Sequence, residues 1–441
     1  MLVILGILLT VFLGLLVSFL ISFKMSLWER AGAAYLLGIG ILTLFMFFLM
    51  WVRIKLTLES TSEILIVLLV IFFALTHQKA KLFFRELKSL TLFPRFSGWE
   101  RVIVFVIICL LGYSLLSSLY WPIADWDALA LYDFRAMTFV KTGYIDEGIR
   151  QGYFFGYPLL SSLANSWVYF LGGHNPKFIY SLFFISFVFM FYGVTRKFSS
   201  KMMSLIAVLF LATTPSLFSH SMIAYTNLPY AVYFSVGTIY LYLWMIKSEN
   251  HYLFLSASMI GLSTWMRSSE PFWLVNLVTV VLCSLYKKKF FAIFQYGFLF
   301  FLIQQPWRFY ESHMIGSSYS STSQITDSTT TLLTKIDFVR MEKVIVYLYK
   351  NVVSSWQPLS LLFLVILALE VSKRVLNVRL LCIILANFLL LVCGTYVFTF
   401  SYSYWENIPG SAGRMSMFFL PLFLYYIFSS RIVQEFFSNK K

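Results

Sequence analysis

Charge is what this sequence has least of. Of its 441 residues only 12% are Asp, Glu, Lys or Arg, and only 19 are acidic. A soluble domain carries roughly a quarter charged residues, so there is too little charge here to wet the surface of a globule this long. Cysteine is scarce as well. All four (Cys109, Cys283, Cys382, Cys393) lie inside apolar segments, with no CxxC and no Cys/His ligand spacing. Neither a zinc site nor a disulfide framework is indicated. The alternating short strands of a membrane β-barrel are missing too. No internal repeat and no inverted half-to-half symmetry is visible, which counts against a transporter.

What is there instead is apolar: 60% of the residues are hydrophobic and the mean hydropathy is +0.80. About thirteen apolar runs follow one another, at 2–23, 31–52, 63–77, 102–120, 178–195, 203–218, 228–246, 252–266, 271–286, 290–306, 357–372, 380–400 and 415–430. The expected fold class is all-α, a polytopic transmembrane helical bundle of about 13 spans. The run at 2–23 lacks a basic start and is long for a signal peptide, so it reads as a retained span. The segment 157–171 is apolar but short and reads as a re-entrant or interfacial helix.

The formal charge of +15 would point to nucleic acid in a soluble protein. Here the basic residues sit in short loops between apolar runs, so topology explains them and no nucleic-acid partner is expected. One set of alternate loops holds Lys24 and Arg30; Lys79, Lys81, Arg85, Lys88, Arg95 and Arg101; Arg196, Lys197 and Lys201; Lys247; Lys287, Lys288 and Lys289; Lys373, Arg374 and Arg379; and the basic C-terminal tail. That pattern predicts a cytoplasmic C-terminus and an N-terminus outside. It puts 121–177, 219–227, 267–270, 307–356 and 401–414 on the outer face of a cell membrane. The second long outer loop contains a polar tract at 317–331, then an amphipathic stretch at 336–350 expected to lie flat in the interface.

The first outer loop opens with Trp121-Pro122-Ile123-Ala124-Asp125-Trp126-Asp127. Carboxylates are costly near hydrocarbon and rare there without a role. Residues 128–140 read as a helix, which makes Asp127 its N-cap. A cap does not account for Asp125. Two carboxylates two residues apart repel unless a cation or a shared proton offsets them, and such a pair suits a general base. They also suit a divalent ion such as Mg²⁺ or Mn²⁺, but no third ligand accompanies them, so no metal is assigned. Arg135, counted as two α-helical turns beyond Asp127, is expected on the same face. Further along the outer face come Tyr157-Pro158, His220, Asn227 at the start of a run, and a tight turn holding Arg267 and Glu270. Arg308 and Arg414 stand at two more outer run ends. Snorkelling to headgroups explains any one arginine; four of them on the basic-poor face point to an anionic ligand. His174 and His313 are given no role.

These segments, in their order, resemble the GT-C superfamily of integral membrane glycosyltransferases, in the branch of the protein mannosyltransferases and aminoarabinose transferases. The resemblance rests on the Asp125/Asp127 loop after a span, a helix with Arg135-Ala136, Tyr157-Pro158-Leu159-Leu160, Tyr225-Thr226-Asn227-Leu228-Pro229, the 261–271 stretch around Arg267, and Gly413-Arg414. It covers about 102–430 and implies two parts: transmembrane helices at 1–100 preceding the family-like module, and a catalytic module at 101–441. It further implies an enzyme that moves a sugar, with inversion, from a polyprenyl-phosphate donor to a glycan, lipid or protein acceptor outside the cytoplasm. Asp125 or Asp127 would serve as base. Arg267, Arg414, Arg135 and Arg308 would hold the donor phosphate, and Tyr157, Asn227, Glu270 and His220 would contact substrate. The sequence departs from the family pattern in three spans ahead of the usual first, in Asn227 where an acid is usual, and in Asp-Trp-Asp where relatives have adjacent acids. Two other classes share some of these features. An O-antigen polymerase or ligase would lean on Arg308 and Arg340, and a lipid-linked-sugar flippase would need ionisable residues in mid-span.

Overall fold

The structure is a computed structural model that describes residues 1–22, 24–89, 96–145, 157–267, 271–315, 321–353, 356–401, 404–407 and 411–438. Among these residues the regular elements are all helical. With hydrocarbon as solvent, only a helix or a closed barrel satisfies every backbone polar group. The first helices are α1 (Leu2–Ile21), α2 (Leu27–Trp51), α3 (Leu58–Ser89), α4 (Gly98–Tyr120), α5 (Phe134–Thr142), α6 (Leu160–Phe170), α7 (Phe178–Thr195), α8 (Lys201–Thr213), α9 (Pro215–His220) and α10 (Asn227–Lys247). They are followed by α11 (Asn250–Met266), α12 (Trp273–Tyr286), α13 (Phe290–Tyr310), α14 (Ser321–Thr334), α15 (Phe338–Leu348), α16 (Gln357–Ser372), α17 (Val378–Ser401), α18 (Ser411–Ser416), α19 (Leu420–Ser429) and α20 (Arg431–Ser438).

Seven of these are long and apolar enough to cross a membrane: α1, α2, α4, α7, α10, the Leu58–Phe83 part of α3 and the Val378–Phe400 part of α17. The count rises to eight if α15 and α16 are two halves of one bent span. The other apolar runs form shorter or more polar helices. The run at 203–218 divides at Thr214 into α8 and α9, because Pro215 occupies the first position of α9; proline fits a first turn but cannot continue a helix through it. The segment 157–171 forms the 11-residue α6, about 17 Å long and too short to span.

The chain forms two compact units, Met1–Lys197 with Ser204–Val232, and Phe198–Met203 with Tyr233–Lys441. In the first, α1 and α2 touch backbone to backbone. A Cβ added at Gly14 would collide with the Ala34 carbonyl, and one at Gly38 with the Thr10 carbonyl. Small residues at such crossings let membrane helices approach closely. Ser26 and Glu29 form a capping box that starts α2, and Lys197 Nζ lies 3.0 Å from Glu29 Oε2. Arg30, fully buried, donates to Ser18 Oγ and Ser22 O, both at 2.9 Å. A buried serine cluster ties α4 to α7 and to the turn after α9: Ser114 Oγ lies 2.7 Å from Ser221 Oγ, and Ser118 Oγ 2.8 Å from Ser181 Oγ.

In the second unit Glu370 of α16 is buried and accepts from Tyr426 Oη and, at 2.6 Å, from Ser430 Oγ, so both its oxygens are satisfied. The amphipathic stretch at 336–350 forms α15, capped by the Asp337 side chain on Arg340 N. Arg340 Nη1 donates to Thr399 O at 2.8 Å and its guanidinium lies 4.2 Å from the Phe400 ring centroid, which fastens α15 to the end of α17.

Candidate functional site

The acidic string leaves α4 in extended form, and its helix starts two residues earlier than the sequence predicts. Leu129 N donates to Asp125 O at 3.0 Å, while the Asp127 side chain makes no cap hydrogen bond. The expected N-cap role of Asp127 is therefore corrected. Asp127 already has helical dihedrals, which aim its carboxylate away from the free amides of the first turn. Asp125 and Asp127 are both half-buried, while Trp121 and Trp126 of the same string are exposed. Exposed tryptophans flanking charges are typical of the membrane–water boundary.

Two residues missed in the sequence hold this string in place. Asn175 Nδ2 donates to Ser118 O and to Trp121 O, both at 3.0 Å. Lys177 Nζ donates to Pro122 O at 3.2 Å. Burial pushes the Lys177 pKa down, and the neighbouring Asp125 carboxylate works against that shift. Lys177 is thus the cation beside Asp125.

Beyond Asp127 the helix widens into a π-helical turn, Ala128–Asp133, before α5. Such turns occur often at functional sites, and their i→i+5 bonds shift the phase of everything that follows. The consequence is visible at Arg135, which is fully buried and donates from Nη1 to Tyr157 O at 2.9 Å. Counting α-helical turns puts Arg135 on the half-exposed face of Asp127; the structure puts it in the interior. Burial lowers its pKa to about 10, with Tyr132 and Tyr157 as electrostatic neighbours. The Tyr157 ring packs edge-on to Tyr132, centroids 6.1 Å apart, and Tyr132 Oη lies 2.9 Å from Thr226 Oγ1. Asn227, next to Thr226, is buried at the start of α10. His220 closes α9 with Nδ1 2.8 Å from Ser216 O.

The same turn carries Asp133, another residue missed in the sequence. It is buried and accepts from Tyr169 Oη at 2.7 Å and from Asn165 Nδ2 at 3.3 Å. Burial pushes its carboxyl pKa up, against the pull of the Tyr169 and Asn165 bonds. Asn165 and Tyr169 are four residues apart on α6 and share one face. That i, i+4 spacing is the sequence feature that puts both partners of Asp133 on one face.

In the second unit, Arg267 and Arg308 each lie over an aromatic ring, Phe418 and Trp273 respectively. Arg267 follows α11, half-buried, its guanidinium 5.8 Å from the Phe418 ring centroid. Phe418 lies four residues after Arg414, which is half-buried on α18. Trp265, near the end of α11, packs edge-on to Trp307 of α13 at 6.1 Å. Arg308, next in sequence, lies 5.2 Å from the ring of Trp273. Phe272, beside Trp273, meets Phe418 at 6.1 Å. Burial lowers the Arg308 pKa, with Glu311 opposing. Its Nε and Nη2 are shielded from solvent and make no hydrogen bond among the described residues; one helical turn earlier, neither amide atom of the buried Gln304 makes one. Glu270 lies outside the described residues. Among the described residues no three His, Cys, Asp or Glu side chains gather closely enough to hold a metal ion. Compared with protein-family models, curated proteins and solved structures, the chain matches none.

Proposed function

We propose that this chain is a membrane glycosyltransferase of the GT-C type, with about thirteen spans, an outer N-terminus and a cytoplasmic C-terminus. It takes a sugar from a polyprenyl-phosphate donor and passes it, with inversion, to an acceptor outside the cytoplasm. Asp125 or Asp127 accepts the proton of the acceptor hydroxyl as its oxygen bonds the anomeric carbon. The bond from that carbon to the phosphate oxygen breaks, and the electron pair leaves with the phosphate. A phosphate leaving group needs no acid, only positive charge where its oxygens gain charge. Arg267, Arg308 and Arg414 supply it.

The observation that carries this reading is the guanidinium of Arg308, two of whose nitrogens are buried without a hydrogen-bond partner among the described residues. A buried, unsatisfied donor is expensive unless an acceptor completes it, and a planar fork suits phosphate. Arg340, by contrast, is occupied in fastening α15 to α17, so a polymerase or ligase relying on it fits less well. The test is transfer from a labelled polyprenyl-phosphate sugar by the reconstituted protein. Asp125→Asn or Asp127→Asn should lower kcat by about 10²–10⁴-fold in a protein that still inserts. Arg308→Ala should weaken donor use at unchanged acceptor KM. Full transfer in both aspartate variants would end the assignment.

A further inference from the structure

Between α1 and α3, in the first unit, lies an apolar groove of about 310 Å³ that the transfer chemistry does not use. Its walls include Phe12, Leu15 and Phe19 from α1 and Phe73 from α3, and it is bordered by His77 and Lys81. Phe19 of this wall meets the Phe83 ring of α3 edge-on, centroids 5.2 Å apart. The Arg30 guanidinium covers both, at 4.0 and 4.8 Å. His77 and Lys81 stand one turn apart on α3, both exposed, with Lys79 exposed between them. No acidic residue occurs from Thr76 to Phe83.

An apolar slot that ends at cations fits one class of ligand, an amphiphile with a hydrocarbon chain and an anionic head. Its position on the helix agrees. With 32 residues, α3 is about 48 Å long and outruns a hydrocarbon layer of about 30 Å, so its cationic turn emerges at headgroup depth. On the proposed orientation that is the cytoplasmic leaflet, where anionic lipids are enriched and basic pockets between helices bind their heads. We propose that this groove binds one anionic phospholipid, its acyl chain between α1 and α3 and its phosphate against Lys81. The site stands whether or not the chain transfers sugars.

The purified full chain, titrated in neutral detergent with phosphatidylglycerol and with phosphatidylcholine of identical acyl chains, tests this by native mass spectrometry. Phosphatidylglycerol should be retained preferentially. Lys81→Glu should weaken it at least about fivefold and leave phosphatidylcholine unchanged, while Lys81→Arg retains the preference. Leu15→Trp, which fills the slot, should weaken both lipids in a protein that still elutes as a single species. Equal retention of the two lipids by the wild type, or an unchanged phosphatidylglycerol affinity in Lys81→Glu, overturns the proposal. So does displacement of phosphatidylglycerol by inorganic phosphate, which would mean that only the head is recognised.

Discussion

The Tyr169 hydroxyl donates to Asp133 Oδ1 at 2.7 Å across 36 residues of sequence, and this part-buried bond ties the π-helical turn beyond the acidic string to α6. Burial holds the Asp133 carboxyl above its usual range, with Tyr169 and Asn165 pulling the other way. A carboxyl raised on folding favours the folded state most when it is protonated. Its contribution is fully present below the unfolded value, about 3.9, and is lost as pH rises through the higher folded value. Thermal unfolding in detergent should therefore show a midpoint that falls as pH rises from about 4. Asp133→Asn should flatten that component. Tyr169→Phe removes one donor to a buried acid and should cost about 2 kcal/mol. An identical pH slope in wild type and Asp133→Asn would remove Asp133 as its source.

The contact of α1 with α2 depends on the absence of two side chains. Since even a Cβ at Gly38 meets the Thr10 carbonyl, Gly38→Ala should destabilise the protein by about 1–3 kcal/mol, as overpacking does elsewhere. Gly112 on α4 has nothing within 4 Å of an added Cβ. Gly112→Ala should be neutral or gain up to about 1 kcal/mol from helix propensity. Unfolding midpoints of the two variants, measured side by side, separate a steric effect from a general intolerance of alanine. Equal midpoints would mean the helices are free to part.

Much of the helical framework was legible in the apolar runs, because a chain in hydrocarbon has few ways to satisfy its backbone. The placement of Arg267, Arg308 and Arg414 at ends of apolar runs was legible as well. All three stand at ends of runs that the basic-loop pattern assigns to one face. The details near Asp127 were not. A cap rule is local and cannot tell Asp125 from Asp127 when both precede a helix. A π-helical turn has no sequence signature, yet one such turn moves Arg135 from the expected face into the interior. Nor was the break at Thr214 placed, although Pro215 marks it: the flanking residues are apolar enough to read as one run. Asn175 and Lys177 were passed over because their partners lie 54 and 55 residues away, at Trp121 and Pro122. No local pattern carries such information.

Lys177 gives the sharpest test of whether the string's position matters. Its ammonium holds the Pro122 carbonyl and neighbours Asp125, but on the proposed mechanism it touches no reacting atom, so it acts as a positioning residue. Lys177→Met removes the tether and the charge while keeping the aliphatic stem. Small misplacements of a catalytic group cost up to about a hundredfold. The variant should accordingly lose about ten- to a hundredfold in kcat with little change in donor KM, since the arginines proposed to hold the donor are untouched. Lys177→Arg, which retains a cation and a donor, should recover most of the loss. A merely structural lysine predicts something different: lower yield and a lower unfolding midpoint, with normal kcat in the protein that folds. Steady-state kinetics on folded Lys177→Met distinguishes the two, and a wild-type kcat there would show that Asp125 needs no neighbour to hold it.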